Sequence, residues 1–218
     1  MDDEEKESTA FVSRKAKEAI SDVLQEWGQL ALEAMRSDNV LDRIPAVKTV
    51  AAFAKATIGI KDRIFTRKLE KFLTGLSDVA PDERREMVRR LEADPAYGRK
   101  IGEHIIELLD RIESHRKPSM LGAAFAAFAA RQIDETMLHR LSAAIDRLPT
   151  IEIDTVRKFA NSTLPQERQR IDPLSLQGLA NAGLLTPGSA FGGTAYDLNR
   201  IGETFVTLDL DVKSKEPD

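Results

Sequence analysis

The stretch IPAVKTVAAFAKATIGIKDRIFTRKL, residues 44–69, is apolar almost all the way round and yet dotted with lysines and arginines. Three readings compete for it: a membrane helix, a nucleic-acid arm, or a central helix in the core of a water-soluble protein. Pro45 suits a first helical turn, because the N–H it lacks has no intrahelical partner there. On a helical projection Lys48, Ala52, Lys55, Gly59 and Asp62 fall on a narrow stripe, with Val50, Phe53, Thr57, Ile60 and Ile64 opposite. A bilayer-spanning helix needs about 20 mostly apolar residues, whereas only six uncharged residues separate Lys48 from Lys55. The sequence therefore predicts a mostly buried helix whose lysines reach outward along their aliphatic stems. Gly59 weakens it at mid-length, and Ile64, Phe65, Leu69, Phe72, Leu73 and Leu76 carry it on to a loop at Ser77–Asp78.

Composition agrees with a water-soluble core. With 218 residues, 42% hydrophobic and 31% charged, the chain has enough apolar material for one large or two small cores and too few prolines and glycines for disorder. A net charge of -4 gives no bulk attraction to polyanions. The absence of cysteine removes disulfides, thiolate nucleophiles and Cys-rich zinc clusters and fits a reducing compartment. The start, MDDEEKE, carries five acids and one lysine where a secretory signal needs a basic start and an apolar run, so a cytoplasmic chain is expected.

Periodicity then sets the architecture. Val12, Ala16, Ala19, Val23, Trp27, Leu30 and Ala34 recur every three or four residues, which predicts a long amphipathic helix ending near Ser37–Asn39. Its stripe either packs on the body, the favoured reading, or forms a coiled-coil seam with a second copy. Pro81-Asp82-Glu83 places a proline and two acids in a first turn, Asp94-Pro95 marks another start, and Lys117-Pro118-Ser119 opens PSMLGAAFAAFAA, whose small side chains let a neighbouring helix come close. Asp134 caps a further helix with Met137, Leu138, Leu141, Ile145 and Leu148 inward, closed by Pro149. No run before residue 150 alternates like a surface strand. The expectation is a mainly α protein: an acidic N-terminus and long helix over 1–40, a multi-helix bundle over 41–150, a small α+β module over 151–208 and an acidic tail over 209–218.

In that module PLSLQGLANAGLL reads as a helix ending in glycine, TPGSAFGG as turn-rich, TAYDL as a short strand, and Asn199 as the cap of a last helix through Ile201, Phe205 and Leu208. Ala182-Gly183-Leu184-Leu185, a glycine-rich turn, then Tyr196-Asp197-Leu198-Asn199-Arg200-Ile201-Gly202-Glu203-Thr204-Phe205-Val206 resembles the C-terminal half of a winged-helix domain over about the last quarter of the chain. The resemblance implies a recognition helix, a two-stranded wing and a closing helix, and with them DNA binding. Yet Pro173 to Leu198 contains no Lys or Arg and one Asp, with Arg168, Arg170 and Arg200 only at its edges. Affinity for a phosphate backbone comes from basic side chains, so another protein is the better expected partner.

The site candidates follow. Partner-binding residues are Trp27, Leu174, Leu176, Leu179, Leu184, Leu185 and Phe191, the partner being another protein or a second copy of the chain. Between Ile44 and Phe72 seven basic residues face two acids, so Lys48, Lys55, Lys61, Arg63, Arg67, Lys68 and Lys71 form an alternative surface for a membrane interface or, less favoured, a nucleic acid. Catalysis is not expected. His104, His115 and His139 lie in separate contexts with no metal-ligand spacing, no phosphate-binding glycine motif occurs, and Ser119, Ser175 and Ser189 lack a nucleophile elbow. The expectation is a non-enzymatic adaptor or regulator, of an immunity or defence type in a bacterial setting, with no cofactor, no metal and no small-molecule substrate.

Overall fold

A computed structural model describes residues 60–76, 80–162, 164–168, 170–190 and 193–213. The expected N-terminal helix with Trp27, the first half of the 44–69 stretch with Lys48 and Lys55, and Phe191 lie outside the described residues. The described chain is mainly helical with one small antiparallel sheet near its end. Five helices come first: α1 (Ile60–Leu76), α2 (Pro81–Ala93), α3 (Pro95–Arg111), α4 (Lys117–Ala129) and α5 (Glu135–Arg147). A 3-10 turn (Thr150–Glu152) leads into α6 (Ile153–Asn161), the single turn α7 (Pro165–Arg168) and α8 (Pro173–Asn181). Strands β1 (Leu185–Ala190) and β2 (Gly193–Leu198), then α9 (Arg200–Thr207) and the single turn α10 (Leu210–Lys213), complete the order.

The centre of the described core is α4. Every one of its residues except Phe128 is buried, as an alanine-rich helix that is apolar on all sides must be. Its most extensive neighbour is α1, and glycine makes that contact close. A Cβ built on Gly75 would lie 2.1 Å from the Ser119 carbonyl oxygen, and one on Gly122 would lie 2.0 Å from that of Phe72. The two backbones touch, with Phe72 and Phe125 packed edge to face at 5.5 Å beside them. From α1, Leu69, Phe72, Leu73 and Leu76 point inward as the sequence implied. Ile64, read on the apolar face, is instead 55% exposed.

The local start and stop signals act where they were read. Asp82 and Glu83 occupy the first turn of α2 behind Pro81, and the Asp134 carboxylate accepts from the Met137 N–H at 2.7 Å to cap α5. Beyond residue 150 the buried side chains Ile153, Val156, Phe159, Leu179, Leu184, Phe205 and Leu210 join the same hydrophobic cluster as the bundle. Two features differ from the expectation. TPGSA, read as turn, forms most of β1, paired from Leu185 opposite Leu198 to Ala190 opposite Gly193; a two-stranded ribbon tolerates Pro187 because its outer edges need no N–H donor. The start of the supposed acidic tail folds back, burying Leu210 and Asp211.

That return is held by charge. Arg157 of α6 donates through Nε and Nη2 to the two Asp211 carboxylate oxygens at 2.6 and 2.7 Å and through Nη2 to Asp209 at 2.8 Å. These bonds to Asp211 and Asp209 push the Arg157 pKa upward. Arg116, just before α4, clasps both Asp154 oxygens at 2.9 and 3.2 Å and reaches the Asp211 carbonyl.

Candidate functional site

Helix α8 is built to stop abruptly. The Asp172 carboxylate accepts from the Leu174 N–H at 3.0 Å behind Pro173, fixing the start. At the end, Gly183 takes a left-handed backbone at φ 88°, its N–H bonds the Ala180 carbonyl at 2.9 Å, and the Leu184 N–H bonds that of Leu179 at 3.0 Å. This is a Schellman closure, which favours glycine at the left-handed position. Leu184 and Leu185 then enter β1 as buried residues. Asn199 ties the return: its Nδ2 donates to the Gly183 carbonyl at 2.9 Å while Oδ1 accepts from Ile201 and Gly202, capping α9 against the end of α8.

These constraints sort the apolar candidates. Leu179, Leu184 and Leu185 are core residues of this chain, Leu176 is half-buried, and Leu174 is 74% exposed. Of the predicted set, the described surface therefore offers Leu174, with Leu176 at its edge. The sequence reading missed the companion. Ile151, in the 3-10 turn, is 84% exposed, and the turn is docked on α8 because Ser175 Oγ donates to Glu152 Oε1 at 2.9 Å. Ile151 adjoins Glu152 and Leu174 adjoins Ser175, so the bond ties together the two elements that carry these exposed aliphatic side chains. The signal was legible after the fact: Ile151 falls off the stripe Ile153, Val156, Phe159 that faces the core.

Of the positive charges near this module, Arg168 is engaged within the chain. Arg168 donates to the Ser162 carbonyl at 2.9 Å and to Asp197 at 3.1 Å, and its guanidinium lies 4.8 Å from the centre of the Phe159 ring. It clamps the hairpin to α6. Arg170 and Arg200 are exposed.

The basic candidates lie elsewhere. Lys61 and Arg63 belong to α1, where their side chains are outside the described residues; Arg67 is exposed, and Lys68 and Lys71 are half-buried. Lys68 Nζ donates to the Asp110 carbonyl at 3.0 Å, and burial lowers its pKa, with Asp110 and Glu113 opposing the shift. These three side chains line a groove of about 470 Å³ with Ile64, Glu113, Ser114, His115 and Pro118. A wider groove of about 1010 Å³ runs between the start of α5 and α9, past Arg131, Asp134, Arg200 and Glu203.

The histidines are less separate than their spacing implied. His104 of α3 and His139 of α5 bring their rings to 5.4 Å, tilted by 58°, and His139 Nε2 lies 3.6 Å from Glu135. Among the described residues no group of three or more His, Cys, Asp or Glu side chains is arranged to hold a metal ion. Among them, too, no helix is long and apolar enough to cross a membrane. No protein family, no curated protein and no solved structure matches the chain.

Proposed function

We propose that the chain is a non-enzymatic, cytoplasmic adaptor or regulator that binds another protein through the face carrying Ile151 and Leu174. The observation that carries this reading is their exposure, 84% and 74%, on two elements locked together by the Glu152–Ser175 bond. Large aliphatic side chains left this exposed are available as anchors, and one that becomes fully buried against a partner contributes about 1.5–3 kcal/mol.

The order α6, α7, α8, hairpin, α9 supports the winged-helix resemblance, with α8 in the place of the recognition helix. That helix turns Leu174, Gln177 and Asn181 to solvent, and no basic residue lies between Pro173 and Leu198. Such a surface suits a protein partner and gives a phosphate backbone no cation to bind.

Affinity recovery from the native cell tests this with the full chain and the Ile151→Asp, Leu174→Asp double variant. Both side chains are exposed, so the variant is expected to keep the parental thermal midpoint and lose the partner. Equal recovery by both proteins would contradict the reading.

A further inference from the structure

The groove between α1 and the segment leading into α4 shares no residue with the Ile151 and Leu174 face, and its lining has a chemistry of its own. Three cations of one helix, Arg67, Lys68 and Lys71, border a concavity of about 470 Å³, a volume within the range of small-ligand sites. Glu113 is the carboxylate among its described lining residues, and Asp110 also acts on Lys68. We infer that this groove binds a phosphate-bearing small group, a phosphate ester that carries a hydroxyl beside it.

The three cations act together because concave walls focus the field of like charges and raise the local concentration of an anion. An ammonium has three donors, and the Asp110 carbonyl fixes the Lys68 head by accepting one of them at 3.0 Å. Burial already disfavours the charged form of Lys68; an entering oxyanion reverses that cost and strengthens its own hold, since charge-assisted bonds to phosphate gain most where water is excluded. The first turn of α4 begins at this wall, with Pro118 in the lining, and adds the positive end of its dipole.

Glu113 narrows the ligand class. A carboxylate on the wall repels a bare polyanion but accepts from a hydroxyl, so the fitting ligand places an alcohol beside its phosphate. Ile64, 55% exposed, and Pro118 supply apolar wall for the carbon skeleton. Glycerol phosphate has this chemistry, either as a free metabolite or as the headgroup region of a glycerophospholipid.

The experiment has two arms on the full chain at low salt. Glycerol 3-phosphate is titrated calorimetrically, and flotation is measured with phosphatidylglycerol vesicles against phosphatidylcholine vesicles. Saturable binding in the first arm alone assigns the groove to a free phosphate ester; binding to anionic vesicles alone assigns it to a lipid headgroup. In whichever arm binds, Arg67→Gln and Lys68→Gln are each expected to weaken it about tenfold, while Arg89→Gln on α2 leaves it within about twofold. Arg67 is exposed, so its variant keeps the test valid if Lys68→Gln fails to fold. Absence of binding in both arms, or an equal loss in Arg89→Gln, overturns the assignment.

Discussion

Ser175 Oγ donates to the Glu152 carboxylate at 2.9 Å, and that bond joins the turn after α5 to the first turn of α8. It ties together the two elements that carry Ile151 and Leu174. Ser175→Ala is expected to cost about 1 kcal/mol in urea unfolding, the net worth of one hydrogen bond. Partner affinity should fall by more than that stability loss alone implies, since the elements carrying the two anchors are no longer tied together. Unchanged affinity would show that the anchors act independently.

At Gly122 the α4 backbone meets the α1 backbone at Phe72 with no room for a Cβ. Alanine is favoured over glycine by about 1 kcal/mol in a helix interior, so propensity alone would make Gly122→Ala stabilising. Overpacking reverses the sign. A Cβ 2.0 Å from a carbonyl oxygen forces α1 and α4 apart, and the expected net loss is about 3 kcal/mol, or on the order of 10 °C in thermal midpoint. Calorimetry on Gly122→Ala and Gly75→Ala checks both sides of the crossing.

Arg157 separates two aspartates that look alike in sequence. Asp211 is buried and takes two of its bonds, whereas Asp209 is exposed. Breaking a buried pair leaves an uncompensated charge, while an exposed pair contributes little. Asp211→Asn is expected to destabilise by about 2–3 kcal/mol and Asp209→Asn by less than about 1 kcal/mol. Equal losses in chemical unfolding would remove the distinction.

Lys117 gives a pH signature. It is buried, its Nζ donates to the Asp146 carbonyl at 2.7 Å, and burial holds its pKa below the ordinary 10.5 even though Asp146 pulls the other way. Between the lowered value and 10.5 the unfolded chain binds more protons than the folded one, so stability contributed by this group rises with pH across that window and is flat below it. The stability difference between the parent and Lys117→Met should therefore move in the parent's favour as pH climbs toward 10.5. A difference independent of pH would show that Lys117 is not desolvated.

Features written in a few neighbouring residues were readable from the sequence. Pro81 with its acids, Asp134 as a cap, the Pro149 stop and the small residues of α4 each act over a turn or two, and each is found where its local chemistry places it. Non-local features were not. β1 exists because β2 pairs with it, which Pro187 and Gly188 alone conceal. The sequence marked Leu179, Leu184 and Leu185 as apolar candidates for a partner but not that they join the same buried cluster as the bundle. His104 and His139 meet across two helices whose packing no spacing rule encodes.

The most direct measurement is the affinity of the recovered partner for the parent and for Leu174→Asp and Ile151→Asp, each with its thermal midpoint. A buried aliphatic anchor contributes about 1.5–3 kcal/mol, so each variant is expected to bind about 10- to 100-fold more weakly with an unchanged midpoint. Affinity equal to the parent's in both folded variants would contradict the assignment of this face to partner binding.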